Sequence, residues 1–547
     1  MTNSVNEILD AELLFVIGSN TTEAHPIIGN KMKQAVRNGT KLIVVDPRTT
    51  ELAAMADLHL RLRSGSDAAL INGMMHIILR EGWEDRAYIE ARTEGFEVVE
   101  ELVKKYTPEV VSAITDISEE DLYEAAKLYA NHRKAGIFYT LGITEHTSGT
   151  SNVMNLANLA LITGHVGIES AGINPLRGQN NVQGACDMGA LPDVYPGYQK
   201  VTDPASIARF SEAWGVPVSE RLGLRIPEML DGAVAGDIRA MYVMGEDPVL
   251  TDPDANHVKK AFESMEFVVV QELFMSETAK YADVILPAAC YAEKDGTFTA
   301  SERRVQRVRK AVNPPGQAKQ DWEIIVAIAD KMGAEGFDFL NSEEIFEEIR
   351  CVTPQYAGMT YERLEKEGGL QWPCPTPDHP GTKYLHKGTF PRGKATMVPV
   401  EYKGPAEHVC DEYPILLITG RKLGHYNVTT RYSELLDSIN PFEEAEINPR
   451  EAEVLGLSEH DTIRVTSRRG SIVTRVQITD RVKPGNMFMT FHYRESPVNE
   501  LTQSAFDPIT LTGEYKVSAV KIEKVEWKDA QYEDEVHRFK RLEHLTE

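Results

Sequence analysis

Residues 12–18 read Glu12-Leu-Leu-Phe-Val-Ile-Gly18, a short apolar run that stops at a glycine. Such a run predicts a buried strand that breaks into a turn at Gly18-Ser19-Asn20. Apolar positions at helical spacing then cover residues 26–37 and predict a helix. Lys41-Leu-Ile-Val-Val45 predicts a second buried strand, which ends at Asp46-Pro47-Arg48. Together these signals predict a strand–helix–strand unit.

A second copy of this pattern lies in the middle of the chain. Ala240-Met-Tyr-Val-Met-Gly245 predicts a strand and a turn, and a helix is expected near residues 258–264. Phe267-Val-Val-Val-Gln-Glu272 then corresponds to Leu42-Ile-Val-Val-Asp46 in the first copy. We therefore interpret the chain as containing a duplicated nucleotide-binding unit.

The spacing of the important positions is nearly the same in both copies. Gly18 precedes Asp46 by 28 positions and Gly245 precedes its acidic partner, Glu272, by 27, while an aspartate follows each acidic residue after 11 positions. A glycine turn lets backbone N–H groups reach a phosphate, and the acidic residue can accept hydrogen bonds from a ribose or a base. Neither copy has G-x-G-x-x-G, which disfavours an ordinary NAD site, and either copy alone is equally compatible with a purely structural turn. The two copies together favour a ligand with two nucleotide ends.

Length and composition exclude several classes of protein. With 547 residues, 42% of them hydrophobic and 26% charged, the chain suits three or four soluble globular domains. Its formal net charge of −25 disfavours nucleic acid or an anionic membrane surface as a partner. The first residues do not form a secretory signal, and no stretch reaches the ~18 uncharged apolar residues of a membrane helix. A cytoplasmic protein without a membrane span is predicted.

The five cysteines do not form a metal-binding pattern. No two of them are spaced as C-x-x-C, so neither a zinc site nor an iron–sulfur site is predicted and no metal ligand is assigned. Each is expected to be a reduced side chain that packs as a small hydrophobic residue. They are Cys186, Cys290, Cys351, Cys374 and Cys410.

The densest polar cluster of the chain lies between the two copies, in residues 172–189. Its glycines, amides and single arginine are too concentrated to follow the period of a strand or a helix. One interpretation is an ordinary surface loop. The other is a binding loop, in which glycines admit a ligand close to the backbone, amides hydrogen-bond it, and Arg177 clamps a carboxylate or a phosphate.

The C-terminal part of the chain has a different pattern. A helical region reaches about Lys331, and a proline-rich stretch from Trp372 to Pro405 then predicts a long connection. Short strands separated by turn signals predict a β-barrel, and the residues after Glu526 predict a charged helix or tail. The predicted barrel strands are residues 413–420, 461–467, 470–478 and 486–491.

These segments together resemble the molybdopterin oxidoreductase superfamily, and within it the catalytic subunits of formate dehydrogenases. The resemblance covers nearly the whole chain. Its most specific segment is Asn174-Pro-Leu-Arg177-Gly-Gln-Asn-Asn-Val-Gln-Gly184-Ala-Cys-Asp-Met-Gly189, which is similar to the formate dehydrogenase pattern and unlike the corresponding loop of nitrate reductases. Shorter matches are Val45–Arg48, Met244–Pro248, Tyr413–Arg421 and Ile447–Pro449.

The resemblance implies a cofactor, a molybdenum or tungsten ion held by the dithiolenes of two pterin guanine dinucleotides, bis(molybdopterin guanine dinucleotide). One dinucleotide would occupy each copy of the repeated unit. Each implicated side chain could instead be a structural cap or a salt-bridge member, and the histidine could be satisfied by local carbonyl groups. The implicated residues are Gly18, Asn20, Asp46, Arg48, Gly65 and Asp67 for one dinucleotide, Gly245, Asp247, Glu272 and Asp283 for the other, and Arg421, His425, Asn499 and Lys516 in the barrel.

The resemblance also implies a reaction. Arg177 matches the family's substrate arginine, which would hold the formate carboxylate beside the metal, and Gln179 would orient the cofactor or the substrate. Formate and carbon dioxide would be interconverted, with two electrons passing to electron-transfer subunits or hydrogenase-type partners. The alternatives are another molybdopterin oxidoreductase that acts on a different small oxyanion, and a non-catalytic molybdopterin-binding subunit.

The chain departs from the family pattern at its start. Family members begin with a four-cysteine domain that holds a 4Fe-4S cluster, followed by a cysteine or selenocysteine and a histidine that serve as metal ligand and proton acceptor. Residues Thr2–Glu7 are similar to a segment just downstream of that pair. We therefore expect the C-terminal majority of a formate dehydrogenase, catalytically incomplete alone. The remainder would lie before a selenocysteine codon read as a stop, or on a separate polypeptide.

The expected fold class is α/β, with two related Rossmann-like dinucleotide-binding domains and a C-terminal β-barrel cap domain. By the resemblance, all three domains would bind the molybdopterin dinucleotides. The expected bounds are residues 1–179 for the first α/β domain with the binding loop 172–189 at its end, 180–370 for the second, 371–409 for the proline-rich connection, 410–526 for the barrel and 527–547 for the charged helical tail.

Overall fold

The computed structural model describes residues 1–526, so the tail predicted for residues 527–547 lies outside the described residues. The described chain divides into two compact units, each built from several separate stretches of sequence. Unit 1 contains residues 1–11, 165–247 and 259–393; unit 2 contains residues 12–164, residues 248–258 and the chain from residue 394 onward. The domain bounds given above stay a prediction.

The strands fall into parallel, antiparallel and barrel groups. In chain order they are β1 (Leu13–Ile17), β2 (Lys41–Val45), β3 (Leu58–Leu60), β4 (Thr93–Glu94), β5 (Ala135–Tyr139), β6 (Gly172–Pro175), β7 (Val194–Tyr195), β8 (Gln199–Lys200), β9 (Ala240–Met244), β10 (Phe267–Glu272), β11 (Val284–Pro287), β12 (Gly296–Thr299), β13 (Arg304–Val308), β14 (Leu370–Gln371), β15 (Ala395–Thr396), β16 (Ile415–Gly420), β17 (Glu444–Ile447), β18 (Thr462–Thr466), β19 (Ser471–Ile478), β20 (Asn486–Thr490) and β21 (Ser518–Lys524).

The helices are mostly short. In chain order they are α1 (Thr21–Ala24), α2 (Pro26–Arg37), α3 (Asp67–Glu81), α4 (Arg86–Arg92), α5 (Phe96–Val103), α6 (Pro108–Thr115), α7 (Glu119–Asn131), α8 (Leu141–Thr144), α9 (Gly149–Ile162), α10 (Val182–Asp187), α11 (Pro204–Trp214), α12 (Ile226–Ala235), α13 (Pro248–Thr251), α14 (Ala255–Glu263), α15 (Asp321–Met332), α16 (Ser342–Val352), α17 (Tyr361–Glu367), α18 (Glu434–Ile439) and α19 (Pro449–Leu455). Within residues 1–526 no helix is both long enough and apolar enough to cross a bilayer.

The first copy of the repeated pattern forms a parallel sheet in unit 2. Its strands follow the order β3-β2-β1-β5, and Leu13 lies between Lys41 on one side and Ala135 on the other. Every residue of β1 is buried, as expected for a parallel strand that is covered on both faces. The bounds of α2 and β2 are those that the apolar pattern predicts.

The second copy forms a parallel sheet in unit 1, in the order β11-β10-β9. Phe267 at the start of β10 lies opposite Ala240 of β9. This sheet is covered less completely than the first, because Tyr242 and Met244 of β9 are 43% and 49% exposed. Strands at the predicted positions are therefore present in both copies, but the strands of the first copy are more completely buried.

A closed barrel in unit 2 confirms the β-barrel prediction. Its strands follow the order β16-β20-β17-β19-β18-β21 around fully buried residues such as Leu417, Ile463, Val476 and Met487. Four of these strands, β16, β18, β19 and β20, lie where the sequence predicts them. The sequence pattern does not predict β17 and β21, because neither has a continuous apolar run: β17 has two glutamates among its four residues, and β21 has two lysines and a glutamate among its seven. The mixed α/β class with a C-terminal barrel is thus confirmed.

The polar segment 172–189 corrects one expectation. It contains a regular strand, β6, and a short helix, α10, although its composition has neither period. The backbone of Ile173 in β6 accepts a hydrogen bond from the Thr2 backbone N–H (3.0 Å) and donates one to the Thr2 hydroxyl oxygen (2.9 Å). Helix α10 starts after Asn181, whose side-chain oxygen accepts a hydrogen bond from the Thr299 backbone. Contacts to distant residues therefore impose order that the local pattern does not show.

Candidate functional site

The turn after β1 requires a glycine for two separate reasons. Gly18 has a φ of +56°, which residues with a Cβ atom rarely adopt. Its N–H donates to the Val45 carbonyl at 2.9 Å, which ties the turn to the end of β2. A Cβ atom on Gly18 would lie 2.7 Å from the backbone of Gly142, so no larger residue fits.

The turn after β9 in unit 1 has the same backbone geometry. Gly245 has a φ of +63°, and its N–H donates to the Gln271 carbonyl at 2.9 Å. Within residues 1–526, apart from Gly245 and its two chain neighbours, no residue has an atom within 4 Å of the position a Cβ would take on Gly245. Gly18 and Gly245 therefore share a conformation and a hydrogen bond, but of these two only Gly18 is sterically confined.

Asp57 and Asp283, which lie 11 positions after Asp46 and Glu272, make equivalent contacts in the two copies. Asp57 accepts a hydrogen bond from the Leu42 N–H of β2 at 2.9 Å, and Asp283 accepts one from the Val268 N–H of β10 at 2.7 Å. Leu42 is the second residue of β2 and Val268 is the second residue of β10, so the two N–H groups occupy equivalent positions in the two copies. In the described chain, Asp283 therefore has the backbone-capping contact of its counterpart, Asp57.

The acidic residues at the ends of β2 and β10 are perturbed carboxyl groups. Asp46 accepts a hydrogen bond from the Arg48 N–H at 2.9 Å, and burial raises the pKa of Asp46 to about 6. Glu272 accepts one from the Leu273 N–H at 2.6 Å, and burial, assisted by the charge of Asp247, raises the pKa of Glu272. Each carboxyl could accept hydrogen bonds from the base or ribose of a nucleotide.

Two other predicted cofactor residues are engaged within the protein. Arg48 forms a buried, bidentate ion pair with Glu446 of β17, with N···O distances of 2.8 and 2.5 Å, and its guanidinium lies over the Phe488 ring. Asp247 accepts two hydrogen bonds from Thr278, at 2.8 Å from its N–H and 2.7 Å from its hydroxyl. These contacts match the structural alternative, in which the side chains are salt-bridge members or caps.

A buried group of charged residues surrounds the start of α3 in unit 2. Asp67 is 4% exposed, follows Gly65 (φ +80°) and Ser66, and has its pKa raised by burial. Burial lowers the pKa of His146, but the nearby Glu514 carboxylate and the charge of Asp67 outweigh this and raise it overall. The His146 Nδ1 atom lies 3.6 Å from the Glu514 carboxylate.

The barrel residues predicted to bind the cofactor also have protein partners. Lys516 is 7% exposed, pairs with Glu145 at 2.6 Å and donates to the Thr419 carbonyl at 3.1 Å. Asn499 is buried and donates to the carbonyls of Leu250 and Thr251 at 3.0 and 2.9 Å. Asn499 therefore anchors helix α13 to the barrel within unit 2.

Three predicted cofactor residues carry polar atoms that the described chain leaves without a hydrogen bond. Asn20 Nδ2, Arg421 Nε and His425 Nδ1 are buried, and each lacks a partner within residues 1–526. Buried polar atoms are nearly always paired in folded proteins, so unpaired ones at these three predicted positions are compatible with a polar ligand there. All three residues belong to unit 2. Asn20 Nδ2 and Arg421 Nε are donors, and this donor set fits a group rich in acceptor atoms, as a pterin dinucleotide with its phosphates is.

The His425 ring is held in a fixed environment. It stacks on the His492 ring at 3.9 Å between centroids, and its Nε2 lies 3.0 Å from the Tyr493 hydroxyl. Burial, and then the neighbouring His492, lowers the pKa of His425 to about 3, so the ring is neutral at physiological pH. The Tyr493 hydroxyl donates to the Asn440 carbonyl at 2.8 Å, so Nε2 of the neutral His425 ring is the donor and Nδ1 is the acceptor.

In unit 1, Arg177 is held by its own loop. Its Nε donates to the Gln183 side-chain oxygen at 3.1 Å, its Nη1 lies 3.7 Å from the Cys186 sulfur, and its backbone N–H donates to Ser301 at 3.2 Å. We call Arg177, Gln183, Cys186 and Asp187 the arginine cluster. Gln179, on the same loop, is exposed. Arg177 is partly buried, which suits a guanidinium that binds a small anion.

The centre of the arginine cluster is a residue that sequence reasoning did not select. Asp187 is fully buried and accepts hydrogen bonds from four side chains. The donors are Gln183 Nε2 at 2.8 Å, the Tyr198 hydroxyl at 2.8 Å, the Tyr356 hydroxyl at 2.5 Å and Trp372 Nε1 at 2.8 Å. No local pattern reveals this, because two of the donors lie 169 and 185 positions further along the chain.

Metal ligands are not grouped in the described chain. Within residues 1–526 no three His, Cys, Asp or Glu side chains are placed to hold a metal ion together. Cys186 is partly buried and contacts Arg177. Any resident metal would therefore depend on ligands from a cofactor or from other residues.

Family comparisons agree with this geometry. The family model described as molybdopterin oxidoreductase matches residues 1–331, and the one described as "Molydopterin dinucleotide binding domain" matches residues 415–519. The chain belongs to the molybdopterin oxidoreductase family. The second match lies within the predicted barrel domain, so this molybdopterin oxidoreductase has a family dinucleotide-binding domain there.

Comparison with individual relatives indicates a group within the family. This molybdopterin oxidoreductase is 49% identical over 532 residues to the F420-dependent formate dehydrogenase subunit alpha of Methanocaldococcus jannaschii, covering 96% of this chain and 78% of the relative. It is 44% identical over 533 residues to formate dehydrogenase H of Escherichia coli, covering 96% and 74%. It is thus an enzyme of the formate dehydrogenase group.

A solved structure has the same fold. Acetylene hydratase from Pelobacter acetylenicus matches with a TM-score of 0.72 and 20% sequence identity, covering 95% of this chain and 81% of that one. At this identity the likeness concerns the fold alone. It supports the α/β architecture with a barrel that the described residues have.

Proposed function

We propose that this chain is the larger part of a molybdenum- or tungsten-dependent formate dehydrogenase that interconverts formate and carbon dioxide. The observation that carries the proposal is the arginine cluster, in which a partly buried guanidinium is held in place by Gln183 on a formate dehydrogenase-like loop. Identities of 44–49% to formate dehydrogenases support the substrate. The gain or loss of two electrons at the metal is the chemistry that the bound cofactor supplies.

The two copies of the repeated unit are proposed to be related Rossmann-like domains, each of which holds one pterin guanine dinucleotide. Matched turns at Gly18 and Gly245 and matched carboxyls at Asp46 and Glu272 support this assignment. The bounds that we propose are residues 1–179 and 180–370, with the connection at 371–409 and the barrel at 410–526.

The cofactor-binding residues remain a proposal that the donor set supports in part. The unpaired atoms of Asn20, Arg421 and His425 would hydrogen-bond the cofactor, and the carboxyl groups of Asp46 and Asp67 would accept from it. The remaining proposed cofactor residues are Arg48, Gly65, Gln179, Asp247, Asp283, Asn499 and Lys516, with the glycines and Glu272 named above.

Arg177 is proposed to act on the substrate directly. A guanidinium binds a carboxylate through two parallel N–H donors, which fixes the plane of formate and therefore the direction of its C–H bond. The protein ligand of the metal, the proton acceptor and the 4Fe-4S cluster are proposed to come from residues outside this sequence. The chain alone would then be catalytically incomplete and would deliver electrons through partner electron-transfer subunits or hydrogenase-type partners.

The test uses the native enzyme, purified without oxygen from its source together with whatever copurifies. We expect formate-dependent reduction of a viologen dye, and molybdenum or tungsten by elemental mass spectrometry. Arg177→Ala should lower kcat/KM for formate by about 100-fold or more, because the substrate loses its orienting contact. Arg221→Ala, at an exposed arginine of unit 1, is the matched control and should leave activity unchanged.

Other outcomes distinguish the remaining possibilities. Cofactor without turnover of formate or any other small oxyanion would indicate a non-catalytic molybdopterin-binding subunit. Turnover of a different oxyanion, with formate inert, would indicate another molybdopterin oxidoreductase. Full formate activity in Arg177→Ala would contradict the role proposed for this arginine.

A further inference from the structure

Asp187 is an acceptor-only group surrounded by donors. A carboxylate offers two oxygens and no proton, and Trp372 Nε1 can only donate. Each oxygen of Asp187 receives two hydrogen bonds, Oδ1 from Gln183 and Tyr198, and Oδ2 from Tyr356 and Trp372. The carboxylate is fully buried, so these four donors hold it in one orientation.

Asp187 in turn decides which way the Gln183 amide points. An amide has a donor end and an acceptor end, and only the donor end can face a carboxylate. Gln183 Nε2 donates to Asp187 at 2.8 Å and also lies 2.9 Å from the Tyr198 hydroxyl oxygen. The acceptor end, Oε1, is therefore directed at Arg177 Nε, 3.1 Å away. Gln183 is 5% exposed, so water does not compete for this contact.

The contact between Gln183 and Arg177 fixes a plane. A guanidinium is planar, and its donors have a rigid arrangement, so a hydrogen bond at Nε sets the direction of the other N–H groups. Cys186 Sγ, 3.7 Å from Nη1, supports the same group from its own loop. These two contacts involve Arg177 Nε and Arg177 Nη1.

We propose that Gln183 and Asp187 are positioning residues for Arg177: Asp187 orients the Gln183 amide, and Gln183 orients the guanidinium that aligns formate. This inference rests on the proposed function, because it gives Arg177 the substrate carboxylate as its ligand. It adds two residues to the reaction that do not touch substrate. Loss of either should let the guanidinium rotate while its charge stays.

The main test is Gln183→Met in the complete native enzyme. Methionine has a similar length and is apolar, but it lacks the amide acceptor for Arg177 Nε. We expect the KM for formate to rise about 10- to 100-fold. The deuterium isotope effect on kcat/KM, measured with deuterated formate, should also increase, because a misaligned C–H bond makes its cleavage slower relative to the other steps.

The control is Gln306→Met, at an exposed glutamine of β13 in the same unit, which should leave both quantities unchanged. A merely structural role predicts a different outcome for Gln183→Met: fewer active molecules, a lower kcat, and an unaltered KM and isotope effect. That outcome, or wild-type kinetics, would overturn the proposal. Asp187→Asn should shift both quantities in the same direction, because its amide can no longer accept from all four donors.

Failure of the inference is separable from failure of the proposed function. If the unaltered enzyme does not oxidise formate, the proposed function is wrong. If it does, and Arg177→Ala abolishes turnover while Gln183→Met has the KM and isotope effect of the unaltered enzyme, then only the positioning role is wrong. Metal and pterin content measured on every sample shows that each variant carries the cofactor.

Discussion

The two parallel sheets have the same turns in very different surroundings. After β1, the Gly18 N–H donates to the Val45 carbonyl at 2.9 Å; after β9, the Gly245 N–H donates to the Gln271 carbonyl at 2.9 Å. Yet all five residues of β1 are buried, whereas one residue of β9, Val243, is buried. Identical local hydrogen bonding is thus compatible with a covered sheet and with a largely uncovered one.

The difference shows which properties are local and which are not. The turn depends on a glycine with positive φ and on the neighbouring strand, both of which are close in sequence. Burial depends on distant segments, as when Gly18 approaches the backbone of Gly142, more than a hundred positions away. A repeated sequence pattern therefore specifies a repeated turn, while the rest of the chain determines how much stability each copy contributes.

The largest expected effect comes from the strands themselves. Phe15 of β1 is fully buried, and Phe15→Ala should reduce the free energy of unfolding by about 3 to 5 kcal/mol because it leaves a cavity. Phe267 of β10 is 46% exposed, and Phe267→Ala should cost about 1 kcal/mol or less. Denaturant titration of both purified variants measures the difference. Equal losses would mean that the second sheet is covered in the protein as purified.

The next largest difference in stability is expected between the turns at Gly18 and Gly245. Gly18→Ala is expected to reduce the free energy of unfolding by about 3 kcal/mol, because positive φ and a 2.7 Å approach to Gly142 act together. In Gly245→Ala the positive φ is the only source of strain, so the free energy of unfolding should fall by about 1 kcal/mol. Thermal unfolding of the two variants side by side tests this. A smaller loss of stability for Gly18→Ala than for Gly245→Ala would contradict the steric role assigned to the Gly142 backbone.

The acidic positions predict a pH dependence. Because the pKa of Asp46 is about 6 in the folded chain and 3.8 unfolded, the folded chain holds this proton more tightly. Stability from this group is complete below about pH 4 and is lost as the pH rises through about 6. Asp46→Asn should remove that loss and stabilise the cofactor-free chain at pH 7 by at most about 3 kcal/mol.

Glu272 is the counterpart of Asp46 in the second copy of the repeated pattern. Burial also raises the pKa of Glu272, so Glu272→Gln should act in the same direction. Unfolding free energies of both variants between pH 4 and pH 8 are the measurement. A pH profile of Asp46→Asn parallel to that of the unaltered chain would show that Asp46 does not titrate in this range.

The smallest effect concerns the matched aspartates. Asp57→Ala and Asp283→Ala each remove the acceptor of one strand N–H, and each should cost about 1 kcal/mol. Asp57 also pairs with Lys41 at 2.7 Å, but this exposed pair adds little. Nearly equal losses in thermal unfolding are expected. A clear loss for one variant alone would mean that the aspartates are not equivalent.

Much of the fold could be predicted because its signals are local. The run Leu13–Ile17, the helix Pro26–Arg37 and the strand Lys41–Val45 each carry an apolar pattern within a few residues. Strand β17 escapes such a pattern because Glu446 occupies a buried position. That glutamate is stabilised by Arg48, 398 positions earlier, and no local periodicity identifies a partner at that distance.

In the candidate site, too, some residues can be identified from the sequence and others cannot. Arg177 stands out in sequence because it is the one arginine among amides and glycines of a dense loop. Asp187 in the same loop does not stand out, although it is the centre of the cluster. Its importance follows from Tyr356 and Trp372, which reach it from distant segments, and such convergence exists only in the folded chain.

Each of the two copies of the repeated pattern is proposed to hold one pterin guanine dinucleotide. The most direct test is to release guanine nucleotide by mild acid from the native enzyme, purified without oxygen, and to quantify it by chromatography against chain concentration. We expect two guanine nucleotides per chain, accompanied by molybdenum or tungsten. One nucleotide per chain, or none, would contradict it.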